Sequence, residues 1–184
     1  MNEKLRILSD DLSSCTCCPL SESRTQTVFG RGDPNAEVVV VGEAPGAEED
    51  ARGVPFVGRS GKLLDEMMLE ASVSKYYVMN AVKCRPPDNR TPTREEISSC
   101  RPWFSTQLRL LKPRVLLALG KTAARAMNVS HLMPEVGWRG LEFEIDEGLV
   151  VVTFHPAYVL RNPGSRRYVV GDIRKAHAWK PPSP

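Results

Sequence analysis

No stretch of the 184-residue chain approaches the ~18 consecutive apolar residues that a membrane-spanning helix needs. The N-terminal residues also lack the uninterrupted apolar core of an export signal, because Lys4, Arg6, Asp10 and Asp11 interrupt Leu5, Ile7, Leu8 and Leu12. These absences predict a cytoplasmic protein with no membrane partner. No GxxxxGK[ST] segment is present, nor a GxGxxG fingerprint between strand and helix, which argues against the usual phosphate-cradling nucleotide-binding proteins. Internal repeats and linkers are missing too, so one domain is expected over residues 1–184, a length that suits a single hydrophobic core. Within it, residues 1–36 read as an N-terminal helix and cysteine loop, 37–180 as an α/β core and 181–184 as a Pro-rich tail.

Charge of one sign is equally scarce: 25 Lys and Arg stand against 22 Asp and Glu, a net charge of +3. Hydrophobic residues at 41% and charged residues at 26% are ordinary for a soluble globular protein, which excludes a disordered chain. The basic residues gather locally, at 83–94, 109–114 and 161–180, and favour anionic partners at those places.

What is present is an alternation of strand and helix patterns. Residues 2–14 space Leu5, Leu8 and Leu12 as an amphipathic helix. Strands are predicted at 37–42, 76–80, 114–120 and 149–154, each a short apolar run suited to burial on both faces. Helices are predicted at 61–69, capped by Ser60, and from Thr93 to about Leu111, opened by the capping box Thr93-Arg-Glu-Glu96 and closed by Pro113. Further helices are expected at 121–127 and 172–179, and a short edge strand at 142–145. This order predicts an α/β protein, a three-layer α/β/α domain around a mainly parallel four-stranded sheet. In such sheets ligands meet the strand C-termini, which points to the loop after Gly42, to Asn80, to Gly120 and to His155.

Five cysteines in a chain of this kind argue for metal rather than disulfides. Cys15 and Cys18 form a C-x2-C pair, while Cys84 and Cys100 flank an Arg/Pro-rich segment; Cys17 is supernumerary. Four thiolates suit a [4Fe–4S] cluster. The rivals are a four-cysteine zinc site, which commonly uses two close knuckles, and, for Cys84 and Cys100, plain burial as small hydrophobes. A cluster here would fasten Arg85, Arg90, Arg94 and Arg101 into a fixed basic patch.

The segments Gly42-Glu-Ala-Pro-Gly46 with Ala47-Glu-Glu-Asp50 and Pro55-Phe-Val-Gly-Arg-Ser-Gly61, then Met79-Asn-Ala-Val-Lys-Cys-Arg-Pro-Pro-Asp-Asn-Arg90, then His155-Pro-Ala-Tyr-Val-Leu-Arg-Asn-Pro163, resemble in order the motifs of the family 4, iron-sulfur uracil-DNA glycosylases. With Cys15 and Cys18 the resemblance spans nearly the whole chain; residues 128–140 match it less clearly. It implies a repair enzyme acting as a monomer on uracil-containing DNA, single- or double-stranded. The reaction would hydrolyse the N-glycosidic bond and leave an abasic site, with Cys15, Cys18, Cys84 and Cys100 on a [4Fe–4S] cluster. The C-x2-C spacing favours Cys15 with Cys18, and a Cys17 ligand stays open.

The target base must leave the stack before its bond can be reached. Asn80 can then take the uracil N3–H on its amide oxygen and donate to O4, whereas cytosine presents the reverse pattern. Phe56, in a Pro/Gly-flanked loop, is expected as an exposed ring on which a flat base stacks. His155 can stabilise negative charge on uracil O2 as the base departs. Glu43 can orient water or support a cationic sugar, or simply cap a loop, and Asn89 is a second residue for arranging that water. Gly42 and Ala44 complete the expected base pocket, Gly42 by letting the backbone approach closely. Tyr158, Leu160 and Arg161 are expected to enter the stack and hold flanking phosphates. Two other functions remain open: a glycosylase for another deaminated base such as hypoxanthine or xanthine, and a non-catalytic iron-sulfur module that binds nucleic acid.

Overall fold

The computed structural model describes residues 3–181. In chain order it comprises α1 (Glu3–Ser13), α2 (Leu20–Ser23), β1 (Arg31–Gly32), β2 (Val38–Gly42), α3 (Ala47–Arg52), α4 (Arg59–Glu70), β3 (Tyr77–Asn80), α5 (Arg94–Leu111), β4 (Val115–Leu119), α6 (Lys121–Ala126), β5 (Glu142–Ile145), β6 (Gly148–Thr153), α7 (Pro156–Arg161) and α8 (Arg166–Ala178). The strands form one sheet in the order β1-β3-β2-β4-β6-β5. Its parallel centre, β3-β2-β4-β6, is the four-stranded sheet expected from the apolar runs.

The sheet is nevertheless six strands wide, because an antiparallel strand closes each edge. β5 is the edge strand expected at 142–145, with half-exposed residues that alternate as an edge allows. β1 lies outside the expected strands: Arg31 and Gly32 carry no strand pattern and are held by pairing with Val78 and Tyr77.

Alternation along the central strands builds a core on each face. Val39 and Val41 pack with Met79, Leu116 and Ala118 under α1, α5 and α6, through Leu5, Leu12, Phe104, Leu108 and Ala123. Val38 and Val40 pack with Val78, Val115 and Leu117 under α4, α7 and α8, through Leu64, Met67, Val159, Val169 and Ile173. The result is three layers, α/β/α.

Helix boundaries depart from the sequence expectation where backbone chemistry decides them. α4 begins at Arg59 with Gly58 as its cap, so Ser60 lies inside the helix. The entry to the helix is held from α3, where Glu49 Oε1 accepts the N–H groups of Val57 and Gly58 at 3.0 and 3.2 Å. α5 does open with the capping box: Glu96 N–H donates to Thr93 Oγ1 (3.2 Å) and Thr93 N–H to Glu96 Oε2 (2.7 Å). It ends at Leu111 on a left-handed Lys112, just before Pro113. The closing helix α8 starts at Arg166, well before residue 172; Arg166, Arg167 and Gly171 dilute the apolar stripe of its first half and hide it from the sequence pattern. Most of the Pro-rich tail, residues 182–184, lies outside the described residues. Among the described residues no helix is long and apolar enough to cross a membrane.

Candidate active site

Parallel register brings the ends of the central strands level: Gly42 lies opposite Asn80, and Leu119 opposite Thr153. The chain runs from β2 outward to β3 and then crosses to β4 on the other side of β2. Such a switch of direction leaves a crevice at the strand C-termini. The crevice is a cavity of about 670 Å³, and Glu43, Ala44, Phe56, Asn80, Asn89, His155, Tyr158 and Arg161 all line it.

Asn80 ends β3 and is 1% exposed. Among the described residues neither its Oδ1 nor its Nδ2 has a hydrogen-bond partner. An unmet buried polar group costs about 1–3 kcal/mol, so an amide with both atoms unmet at a cavity wall fits a ligand that supplies one donor and one acceptor. Gly42 does not itself line the cavity, but a side chain there would run into Asn80 Oδ1 and the Phe56 ring. The absence of a Cβ is what lets these two approach the strand end together.

Phe56 is buried rather than exposed, at 8%, and forms part of the cavity wall. Its backbone is left-handed, φ 56°, a conformation disfavoured for a bulky residue. Packing imposes it: the Phe56 carbonyl sits where a Cβ of Gly61 would be, so the loop rests directly on the first turn of α4. The Phe56 ring lies 5.6 Å from the His155 ring, tilted by 32°.

His155 follows β6 and caps α7, its Nδ1 accepting the Ala157 N–H at 3.1 Å. An accepting Nδ1 places the proton of the neutral ring on Nε2. Burial, helped by the Arg161 guanidinium and opposed by Glu49, pulls its pKa down to about 4, so the ring is neutral at pH 7. The site therefore holds a neutral imidazole with one N–H to donate.

Asn89 is exposed and left-handed, φ 54°, and its Oδ1 accepts from Arg85 Nε at 2.8 Å. On the opposite rim Tyr158 is 40% exposed and its ring lies 4.6 Å from Phe154, which in turn meets Trp138 edge-on. Leu160 is 37% exposed on the same short helix and stands outside the cavity wall.

Three residues here had no individual signal in the sequence. Glu48 and Glu49 line the cavity. Glu49 Oε2 accepts the Gly46 N–H at 3.1 Å while its Oε1 holds Val57 and Gly58, tying the two halves of the first motif together. A Glu three residues after a cap is a known signature, but with Gly46 at the cap the reciprocal half is missing. Lys83 is fully buried; its Nζ donates to the Asn80 carbonyl (3.0 Å) and to Gln107 Oε1 (2.7 Å). Gln107 in turn donates to the Phe29 carbonyl and Tyr77 hydroxyl, at 3.1 and 3.2 Å. Desolvation lowers the Lys83 pKa to about 8, against the pull of Cys100 and Cys84. Only the folded sheet brings these partners together.

All five cysteines line one small void behind this network, beside Arg24 and Lys83, and none is in a disulfide. Cys84 and Cys100 are buried, Cys15 and Cys18 half-buried, and Cys17 exposed. No three of them, nor any other His, Cys, Asp or Glu among the described residues, are arranged to hold a single metal ion. Two N–H donors nonetheless point at sulfur, Trp103 Nε1 at Cys15 and Arg24 at Cys84, each at 3.2 Å. Thiols are weak acceptors, so such donors suit thiolates. Burial works the other way at Cys100, pushing its thiol up to about 12 against the pull of the Lys83 ammonium. The donor set thus fits a thiolate-bound group.

The basic patch divides. Arg90 is spent in a two-point pair with Glu96, at 2.7 and 2.8 Å, and Arg85 turns to Asn89. Arg94 and Arg101 face a separate groove instead.

A family model described as the uracil DNA glycosylase superfamily matches residues 29–178. A type-4 uracil-DNA glycosylase of Thermotoga maritima is 42% identical over 182 residues, 96% of this chain and 95% of its own. One of Pyrobaculum aerophilum is 40% identical over 176 residues, 88% of this chain and 87% of its own. A type-5 uracil-DNA glycosylase of Thermus thermophilus is 33% identical but covers only 63% of this chain. A chain with these motifs at the ends of its parallel strands, and relatives aligned over nearly its full length, belongs to the uracil DNA glycosylase superfamily and, within it, to the type-4 uracil-DNA glycosylases.

Proposed function

We propose that this chain excises uracil from DNA by hydrolysing the bond between the base and C1′ of its deoxyribose. The observation that carries the proposal is the Asn80 amide, buried with both polar atoms unmet at the wall of the cavity. Uracil offers an N3–H donor beside an O4 acceptor, and both meet this amide. Cytosine in the same pose leaves both atoms facing like partners, a mismatch that sites of this kind reject by ~10⁴-fold or more.

With the base extruded into the cavity, Phe56 flanks its ring, and Gly42 leaves room for Phe56 and Asn80 to meet there. His155 donates its Nε2–H to O2, where negative charge gathers as the C1′–N1 bond breaks. Glu43 supports the cationic sugar and, with Asn89, orients the water whose oxygen bonds to C1′. The electron pair of the broken bond leaves on uracil, and the water's second proton passes to solvent. Tyr158, Leu160 and Arg161 hold the strand at the rim.

In this proposal Cys15, Cys18, Cys84 and Cys100 hold a [4Fe–4S] cluster. The convergence of the cysteines and the N–H donors aimed at sulfur support it. The cluster would supply a structural clamp between the segment after α1 and α5. A monomer acting alone in the cytoplasm, as one domain, completes the picture.

The test is to incubate the protein with a labelled oligonucleotide containing one uracil, then cleave abasic sites with alkali, beside thymine and cytosine controls. Cutting at uracil alone is expected; no cutting by a protein that retains its cluster absorbance would overturn the assignment.

A further inference from the structure

A second concavity, about 520 Å³, lies between α5, α6 and the segment after α6. Arg94, Arg101, Lys121 and Arg125 line it, with Glu135 as the one acid. Two of these cations are fixed by neutral partners. Arg101 donates to Asn128 Oδ1 (2.6 Å) and the Ala126 carbonyl (3.3 Å), while Lys121 donates to the Glu135 carbonyl (2.8 Å) and sits 5.9 Å from the Trp138 ring centroid. Carbonyls and an amide position these side chains without neutralising them. The Arg94 and Arg125 side chains have no hydrogen bond or ion pair among the described residues. Arg90, Arg114 and Arg166, by contrast, each pair with a carboxylate: Glu96, Glu37, and Glu66 with Glu70, respectively. Glu95 neighbours Arg94 and Glu135 lines the groove, so its four cations outnumber the acids beside them.

Its position is informative as well. Gly120 lines the base cavity and Lys121 lines the groove, so the two open side by side at the C-terminal edge of β4.

Resting on the proposed uracil excision, we infer that this groove carries the phosphate backbone of the substrate strand on one side of the extruded nucleotide. It thereby extends the binding site beyond the rim formed by Tyr158, Leu160 and Arg161. A strand of a few nucleotides fills the base cavity without reaching the groove, whereas a long strand occupies both. The groove should therefore act on long substrates only, and its contribution should fall with salt as counterions compete.

The experiment compares the wild-type protein with the Arg94→Gln/Arg125→Gln double variant. Uracil release is measured from a trinucleotide and from a long single strand across a salt series, with a melting curve for each protein. Expected is a loss of roughly tenfold in kcat/KM on the long strand at low salt, together with a salt slope shallower by about 1.4, roughly 0.7 for each phosphate that no longer meets an arginine. The trinucleotide rate and the melting curve should be unchanged. Equal salt slopes and rates for both proteins on the long strand would overturn the inference. So would equal losses on both substrates, which would place the effect in the base cavity, or weakened binding of inorganic phosphate with no effect on the long strand. If the wild-type protein released uracil from neither substrate, the proposed activity would fall. The salt slope of long-strand binding, read by fluorescence anisotropy in the two proteins, would still decide the groove.

Discussion

At the scale of single residues, the site depends on polar groups whose state is set by burial and by the partners that the fold gives or withholds. His155 shows this most plainly. The Ala157 N–H fixes its tautomer, and burial keeps it neutral. Because its folded pKa of about 4 lies below the ordinary 6.5, the unfolded chain binds the proton more readily. The stability that His155 contributes is complete above 6.5 and is lost as pH falls through that window toward 4. In the proposed reaction the neutral ring is the working form, so the acid limb of kcat should fall near 4 rather than near 6.5. Arg161→Gln removes a positive charge that lowers this pKa and should shift the limb toward neutrality. A pH profile of kcat for both proteins checks the shift; identical limbs near 6.5 would contradict the assigned state.

At the scale of elements, the loop between α3 and α4 is the part most constrained by its neighbours. Glu49 ties its C-terminal end back to the start of α3, Gly61 lets it rest on α4, and Phe56 adopts a left-handed backbone as the consequence. A methyl group at residue 61 would meet the backbone of Phe56 rather than a movable side chain. Gly61→Ala should therefore cost about 1–3 kcal/mol, the range for overpacking, and displace Phe56 from the cavity wall. A lower melting temperature together with reduced uracil excision is the expected pair of results. An unchanged melting temperature would show that the loop is not pinned there. The sequence made the ends of this loop legible, through its glycines and prolines, but not its interior. Ser60 reads as a cap because serine is good at capping, whereas the cap is Gly58, whose N–H Glu49 holds from α3. In the same way β1 has no apolar pattern to read, since backbone pairing alone holds it. Lys83 reads only as one of a basic run, although it is fully buried, because Gln107 and the Asn80 carbonyl meet it only in the folded sheet. By contrast Gly42, Asn80 and His155 were legible because each follows an apolar run, and parallel strands place such ends side by side.

At the scale of the molecule, the sheet arranges three zones in sequence. The thiol-lined void lies behind β3 and α5, the Lys83 network joins it to the backbone of Asn80, and the cavity opens at the strand ends with the basic groove beside it. The central claim is that this whole arrangement presents one amide to one base edge. Its most direct test is Asn80→Asp, assayed on oligonucleotides containing uracil or cytosine. The carboxylate keeps an acceptor for N3–H but loses the donor to O4, and its protonated form can pair with cytosine. The prediction is weakened uracil excision with relaxed discrimination against cytosine, whereas uracil excision at the wild-type rate would contradict the role given to Asn80.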